Sequence, residues 1–514
     1  MEVVMRKKGL KVLFLMMALA LIIVGCGTKE NAKEENAKKE SSKNESSEVT
    51  TGASEGSSYT PLAELKDSYD IVIVGSGGAG MSAALEAKEK GLNPVIFEKM
   101  AVVGGNTLKS SSGMNASETK FQKEEGISDS NDLFYEETLA GGHGTNDPEM
   151  LRFFVDHSAD AIDWLDSMGI RLNNLTITGG MKEKRTHRPE DGSAVGQYLV
   201  NGLIKNVQEK DIPVFVNADV KEITEKDDQV NGVKVQFDHK EDKTIKADAV
   251  VVTTGGFGAN MEMISETNPE LKDYVTTNQI GSTGDGIKMI EKLGGYTVDM
   301  KEIQIHPTVQ QEKSYLIGEV VRGEGAILVS STGERFVNEL DTRDAVSSAV
   351  NQTPDKFAYL IFDSGVKERA KAIEQYEKLG FVVEGQTLAE LAKEINVPDT
   401  ALEATVGKWN EDVAAKSDTA FNRTTGMEHD LSKGPYYAIK IAPGIHYTMG
   451  GIKVNPETEV LTKEGTSIKG LYAAGELTGG LHGENRIGGN SVAEIIIFGR
   501  QAGIKSAEFV HSLK

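Results

Sequence analysis

One cysteine, Cys26, is all that 514 residues provide. A lone thiol cannot close a disulfide within the chain, and neither a thiolate nucleophile in the chain's body nor a Cys-x-x-Cys-His haem attachment can be built from it. Positive charge is also short. Lys and Arg number 56 against 78 Asp and Glu, for a net charge of −22, which excludes nucleic acid as a partner and adsorption to anionic lipid by charge alone. The acidic residues form no long blocks in the body of the chain and read as a solvated surface. The apolar run from Val12 to Val24 is too short for an ordinary membrane span, and no repeat of solenoid period is visible. The length allows two or three domains with a large buried core, so a two-domain enzyme is the starting expectation.

That short apolar run follows Arg6, Lys7, Lys8 and Lys11 and ends at Ile23-Val24-Gly25-Cys26. It has the form of a signal-peptide core, and the ending resembles a bacterial lipoprotein signal, which is cut before the cysteine and leaves Cys26 to carry lipid. A leader over residues 1–25 and a disordered, polar tether over 26–66 are therefore expected, with the protein held at the extracytoplasmic face of the membrane. Within the tether, Thr51-Gly52-Ala53-Ser54 resembles the signature at which some bacterial electron-transfer proteins carry covalent FMN, with Ser54 as acceptor. Four small residues in a Ser-rich linker also arise by chance.

The stretch Asp70-Ile-Val-Ile-Val-Gly-Ser-Gly-Gly-Ala-Gly80 organises the rest of the chain. Ile71–Val74 reads as a buried parallel strand, and Gly75, Gly77 and Gly80 have the spacing that turns a strand into a phosphate-facing helix, expected over Ala79–Lys90. A second strand, Pro94–Phe97, delivers Glu98 where a carboxylate meets ribose hydroxyls. Small residues at Asn106, Thr107, Ser111, Ser112 and Gly113 let backbone pass close to a flat ligand. The strand Ala249–Val252 runs into Thr254 and Gly255, and Asp285 opens a helix. Near the end come Glu476, Ser491 and Val492 beside another glycine turn. With Ala79 and Val220, these residues complete the expected nucleotide site. Pro148–Met168 reads as a packed helix pair, Ile212–Val216 and Asp219–Thr224 as strands, and Val230-Asn231-Gly232-Val233 as a hairpin turn.

Between 303 and 435 the glycine loops give way to mixed pieces holding Gln304, His306, Glu319, Arg322 and Arg343. The expected architecture is α/β: a Rossmann-like FAD-binding domain over 67–302 and 436–514, interrupted by an α+β capping domain over 303–435.

Several motifs together carry a family likeness: Gln304-Ile-His-Pro-Thr308, Arg322-Gly-Glu-Gly-Ala326, Arg335-Phe-Val-Asn-Glu339, Thr342-Arg-Asp344, His446-Tyr-Thr-Met-Gly-Gly451 and Asn485-Arg-Ile-Gly-Gly-Asn490. With the first glycine motif they resemble the flavoprotein subunit of fumarate reductases, nearest the soluble flavocytochrome c enzymes and their urocanate reductase relatives, from about Tyr69 to Lys505. The resemblance implies FAD as cofactor and reduction of an α,β-unsaturated carboxylate. It implies His446 and Arg486 on one substrate carboxylate, His306 at the other end, Gln304 among the substrate-binding residues, Arg343 as proton donor, and Glu319 with Arg322 as its relay. No metal is implied. Hydride reduction of such a bond needs cations on the carboxylate and an acid at the α-carbon, which suits these residue types.

One position departs from the likeness. Family members usually carry Thr before the relay glutamate, and here it is Gly318, which offers no hydroxyl and more room, so a larger enoate of the urocanate type is expected to fit at least as well as fumarate. Without haem, electrons reach FAD from an unidentified membrane donor, a tethered flavin or a diffusible reductant. The competing readings are a flavin dehydrogenase of succinate or ketosteroid, the latter disfavoured by Arg343, His446 and Arg486 together, and a non-catalytic lipid-anchored flavin-binding protein. Mass spectrometry of the natively secreted protein decides between FMN attachment and a chance match in the tether: a flavin phosphate adduct on the Ser54 peptide carries the attachment, and an unmodified peptide rejects it.

Overall fold

A computed structural model describes residues 59–514. Cys26, Ser54, the leader and most of the expected tether lie outside them. Among the described residues, no helix is long and apolar enough to cross a membrane.

The first strand, β1 (Ser68–Val74), has Ile71, Val72 and Ile73 fully buried, as a strand covered on both faces requires. It is followed by helix α1 (Gly78–Glu89), strand β2 (Pro94–Phe97) and, much later, strand β3 (Glu241–Val252). β1 pairs in parallel with β2 on one side and β3 on the other. The cap contributes β4 (Ile303–Gln310), α2 (Arg343–Asn351) and α3 (Ala372–Lys378), and the long strand β5 (Tyr436–Thr448) comes after them. The chain closes with β6 (Ser467–Ala473), parallel to β3, and α4 (Asn490–Ser512). The C-terminal ends of β6, β3, β1 and β2 thus share one edge. Gly75, Glu98, Thr254 and Glu476 lie just past those ends, lining the crevice where open α/β sheets bind ligands.

Two apolar cores lie behind this layout. One gathers residues from Tyr69 to Ile303 and from Ile445 onward; the other runs from Ile317 to Ile441. β5 bridges them. Its first half pairs with the cap strands Ala358–Asp363, as far as Ile441, and Val382–Gly385, as far as Ile439, and its second half pairs with β4, setting Tyr447 opposite Gln304. All of β5 thus pairs with strands of the inserted segment, 436–441 with the first two and 442–448 with β4.

The helix pair appears as Pro148–Asp156 and Ser158–Ser167. The expected hairpin turn is displaced: Asn231 and Gly232 lie inside the strand Gln229–Phe237, which pairs with Ala218–Lys226, and the reversal falls at Asp227-Asp228, both with positive φ (54° and 60°). A two-residue hairpin of matching twist needs left-handed backbone at both central positions, which Asp tolerates. The strand expected at Ile212–Val216 shortens to Val214–Phe215.

Helix α1 sits on β1 through Gly80, where an added Cβ would lie 2.0 Å from the Gly75 carbonyl oxygen. Gly80→Ala is expected to cost about 1–3 kcal/mol of stability and to strip the flavin, read as thermal midpoint and as the flavin-to-protein absorbance ratio. Full flavin content in that variant would contradict the packing.

Candidate active site

Gln304, near the start of β4, joins four groups. Its Oε1 accepts from Arg343 Nη1 at 3.0 Å and from Arg486 Nη2 at 2.8 Å, while its Nε2 donates to Asn485 Oδ1 at 2.7 Å and to the Arg486 carbonyl at 2.6 Å. Donors on one side and acceptors on the other fix the amide's orientation. Two buried guanidiniums from distant parts of the chain thereby meet at one neutral oxygen.

Arg343 is the first residue of α2, where the helix dipole opposes its charge by about 0.3–1 kcal/mol. Its partner is Glu319, whose Oε2 accepts from Arg343 Nη2 at 3.1 Å; Arg322 Nη2 stands 3.9 Å from the other carboxylate oxygen. Burial alone would raise the Glu319 carboxyl, but Arg343 and Arg322 more than offset it and hold it below its ordinary value. Burial lowers Arg322. Arg322 Nε and Nη2 and Arg343 Nε meet no hydrogen-bond partner within the protein. Arg322, Glu319 and Arg343 form a row of alternating charge that ends at Gln304.

His306 and His446 face each other edge to face, with ring centroids 5.1 Å apart. His446 Nδ1 lies 2.8 Å from Thr277 Oγ1, and His306 Nδ1 accepts from the Thr308 amide at 3.3 Å, which leaves His306 Nε2 as the protonated nitrogen. Burial, then Arg343, push both imidazoles well below their ordinary value. They act as neutral hydrogen-bonding groups, and the site's positive charge resides on arginine.

Gly318 proves different from the open wall expected of it. Its amide donates to the hydroxyl of Tyr376 on α3 at 2.8 Å, and a Cβ at 318 would lie 3.3 Å from that hydroxyl and 3.2 Å from Ser111 Oγ. A hydroxyl is present after all, delivered by another element. Burial raises the Tyr376 phenol, so it stays protonated.

The nucleotide crevice fits a dinucleotide. No side chain caps α1 at Gly77, and a Cβ there would meet nothing closer than 3.6 Å. Thr107 Oγ1 accepts from the Gly78 amide at 3.0 Å, and Thr254 Oγ1 is buried without a protein partner. Ala79 is buried in the first turn of α1. Glu98 accepts from the Ser76 amide (3.0 Å) and hydroxyl (2.6 Å) and from the Met100 amide (2.8 Å), and its carbonyl accepts from Ala218, which brings in the strand carrying Val220. Asn106 donates to Glu476 at 3.0 Å and accepts from the Gln279 amide. Burial pushes the Glu476 carboxyl up to about 7. Gly255 comes after Thr254 with φ of 74°, and Gly113 backs onto the His187 carbonyl. Ser111 and Ser112 are half-buried in the loop beneath the cap, and Ser491 and Val492 open α4. Asp285 stands apart in its chemistry, ion-paired to Lys99 at 2.6 Å and accepting from Thr283.

Tyr376, Thr277, Asn485 and Gly488 escaped the sequence reading as site residues. Asn485 and Gly488 sit inside a recognised motif, whereas Tyr376 carries no local signal. Gly488 is packed between Glu319 and Arg343: a Cβ would lie 2.8 Å from Glu319 Oε2 and 2.9 Å from Arg343 Nη2.

A parallel-sheet dinucleotide crevice, with an anion-seeking cluster of arginines and neutral histidines held beside it by an inserted cap, defines a flavin-dependent oxidoreductase acting on CH–CH bonds. The chain belongs to the FAD-binding-domain family, whose model matches residues 70–492, within the branch of fumarate and urocanate reductase flavoproteins. It is 50% identical over 441 residues to an NADH:fumarate oxidoreductase of Klebsiella pneumoniae (86% of this chain, 48% of that protein), so it spans about half of that relative's length. It is 42% identical over 445 residues to a fumarate reductase (cytochrome) of Shewanella frigidimarina (86% of this chain, 78% of that protein). Its fold matches the open conformation of a flavocytochrome c3 fumarate reductase with a TM-score of 0.73 at 40% identity, covering 87% and 79% of the two chains.

Two measurements probe the site. Gly488→Ala, which wedges a methyl group between Glu319 and Arg343, is expected to lower kcat by about 10²-fold with FAD retained; unchanged turnover would contradict the geometry. Glu476, raised in the folded protein, contributes stability that is complete below its ordinary value of 4.5 and is lost as pH climbs through about 7. In FAD-stripped protein, Glu476→Gln should remove that fall in thermal midpoint, and a parallel fall in both proteins would reject the assignment.

Proposed function

We propose that this protein reduces the carbon–carbon double bond of an α,β-unsaturated carboxylate, with fumarate as the preferred substrate. The observation that carries the proposal is the meeting of Arg343 and Arg486 on Gln304 Oε1. Two cations held on a neutral acceptor leave a site short of negative charge, which a substrate carboxylate supplies.

Arg486 and His446 hold one carboxylate and draw electron density from the double bond, while His306 and the Tyr376 hydroxyl meet the far end. Arg343 gives a proton to the α-carbon as the β-carbon takes a hydride, so two electrons and two hydrogens enter and the double bond becomes single. FAD, when bound and reduced, supplies that hydride. Guanidinium is a weak acid, so Arg343 serves only as a transient donor, reprotonated by Glu319, which is fed from solvent through Arg322. The buried histidines stay neutral and exclude water from the reacting atoms.

Fumarate is favoured over a larger enoate because the Tyr376 hydroxyl fills the space that Gly318 leaves, and because the Klebsiella and Shewanella relatives are named for fumarate. Electrons come from a membrane or diffusible donor, with a flavin on Ser54 as an intermediate carrier. The lipid-anchored, extracytoplasmic setting at Cys26 makes the reaction a means of electron disposal under anaerobic conditions.

Anaerobic reoxidation of the reduced flavin by fumarate, urocanate, cinnamate and methacrylate tests the reading, with fumarate expected fastest. Arg343→Ala should slow fumarate turnover by roughly 10²–10⁴-fold while FAD stays bound. A flavin that none of these acids reoxidises, or an Arg343→Ala variant with full turnover, would overturn it.

A further inference from the structure

Arg486 has an unusual setting for a buried charge. Its polar contacts are Gln304 Oε1 at 2.8 Å and the Ile487 carbonyl at 3.2 Å, its Nε meets no protein acceptor, and among the described residues no carboxylate pairs with it directly. Its guanidinium lies instead on the face of Tyr447, 4.3 Å from the ring centroid. The Tyr447 hydroxyl donates to Glu494 Oε2, and His482 Nε2 sits 3.0 Å from the same oxygen. His482 Nδ1 and Glu494 Oε1 have no protein partner, so the nitrogen facing the carboxylate carries the imidazole proton. All four side chains are buried.

We propose that Glu494 acts through Tyr447 as the indirect counter-charge of Arg486, and that His482, Glu494 and Tyr447 are positioning residues for the substrate carboxylate. A carboxylate that accepts the phenolic proton pushes electron density into the ring and deepens the negative face on which the guanidinium rests. The phenol keeps its proton, because burial and then Glu494 hold it far above its ordinary value. Direct pairing would have used the N–H groups of Arg486 on a protein carboxylate, whereas stacking leaves them to the substrate. This rests on the reading that Arg486 binds a substrate carboxylate. Burial, then Arg343, lower Arg486 to about 10, and Tyr447, Glu476 and Glu494 work in the other direction.

The test uses FAD-loaded Tyr447→Phe, Glu494→Gln and Arg486→Met, assayed anaerobically with fumarate across pH. Tyr447→Phe keeps the ring and cuts its link to Glu494; Glu494→Gln keeps a hydrogen-bonding group and removes the charge. Each is expected to raise KM by about tenfold, the scale of a desolvated cation–π contact, with kcat nearly unchanged and full flavin content. In Glu494→Gln the alkaline limb of kcat/KM should move to lower pH, since Arg343, Tyr447 and Glu476 are left facing Arg486 without that negative charge. If Glu494→Gln does not fold, Tyr447→Phe decides alone. Unchanged KM in the foldable variants, or a loss confined to kcat, overturns the inference; when Arg486→Met loses substrate binding at the same time, the proposed function survives. An Arg486→Met variant with normal KM overturns both.

Discussion

A single amide oxygen bears the electrostatic load of this site. Gln304 Oε1 receives one guanidinium from the cap and another from the closing segment of the nucleotide domain, two like charges that would otherwise repel across a dry cleft. A glutamate in its place would neutralise them and leave nothing for an anion to satisfy. The neutral amide instead gives both arginines a fixed direction and keeps the net charge positive. Its own direction is set by Asn485 Oδ1 and the Arg486 carbonyl, so the residue that orients the arginines is itself oriented by the motif that carries one of them.

The division of labour between arginine and histidine comes from burial. An imidazole has little proton affinity to lose before it turns neutral, and His306 and His446 are pushed well below their ordinary value. Arginine starts so high that Arg486, lowered to about 10, is still charged at neutral pH. The histidines therefore contribute shape and hydrogen bonds, and Glu319, held ionised by its arginine neighbours, is the carboxylate that pairs with Arg343. Placing it beside Arg343 and not beside Arg486 leaves one guanidinium paired with a carboxylate and the other held by neutral acceptors.

How far the sequence revealed this depends on how local each signal is. The strand–glycine–helix unit at Asp70–Gly80 was legible because the constraint and the residues that meet it lie within a dozen positions. The hairpin was misplaced because Asn-Gly is the stronger turn signal by composition, while register chose Asp227-Asp228. The passage from cap to nucleotide domain has no local signal, because β5 runs in one sheet with β4 and the cap strands and sends Ile439 and Ile441 into one core and Ile445 into the other. Gly318 could be read only as a missing hydroxyl. The group that supplies one, Tyr376, lies 58 residues away on α3, where a buried tyrosine looks like any other core aromatic.

The register between β4 and β5 explains why a two-core protein can keep so exacting a site. Gln304 on β4 stands opposite Tyr447 on β5, and α2, which carries Arg343, is tied to β4 through Ser347 Oγ and the Ile305 carbonyl at 3.2 Å. Gln304, His446 and Tyr447 are thus fixed by one antiparallel pair, to which α2 ties Arg343, so the cap arginine and the histidine face share a rigid element. Strain in either core that left this pair intact would leave the chemistry intact as well. Loss of its register by one residue would turn Gln304 to the opposite face of the sheet, and the two arginines would lose the acceptor that holds them together.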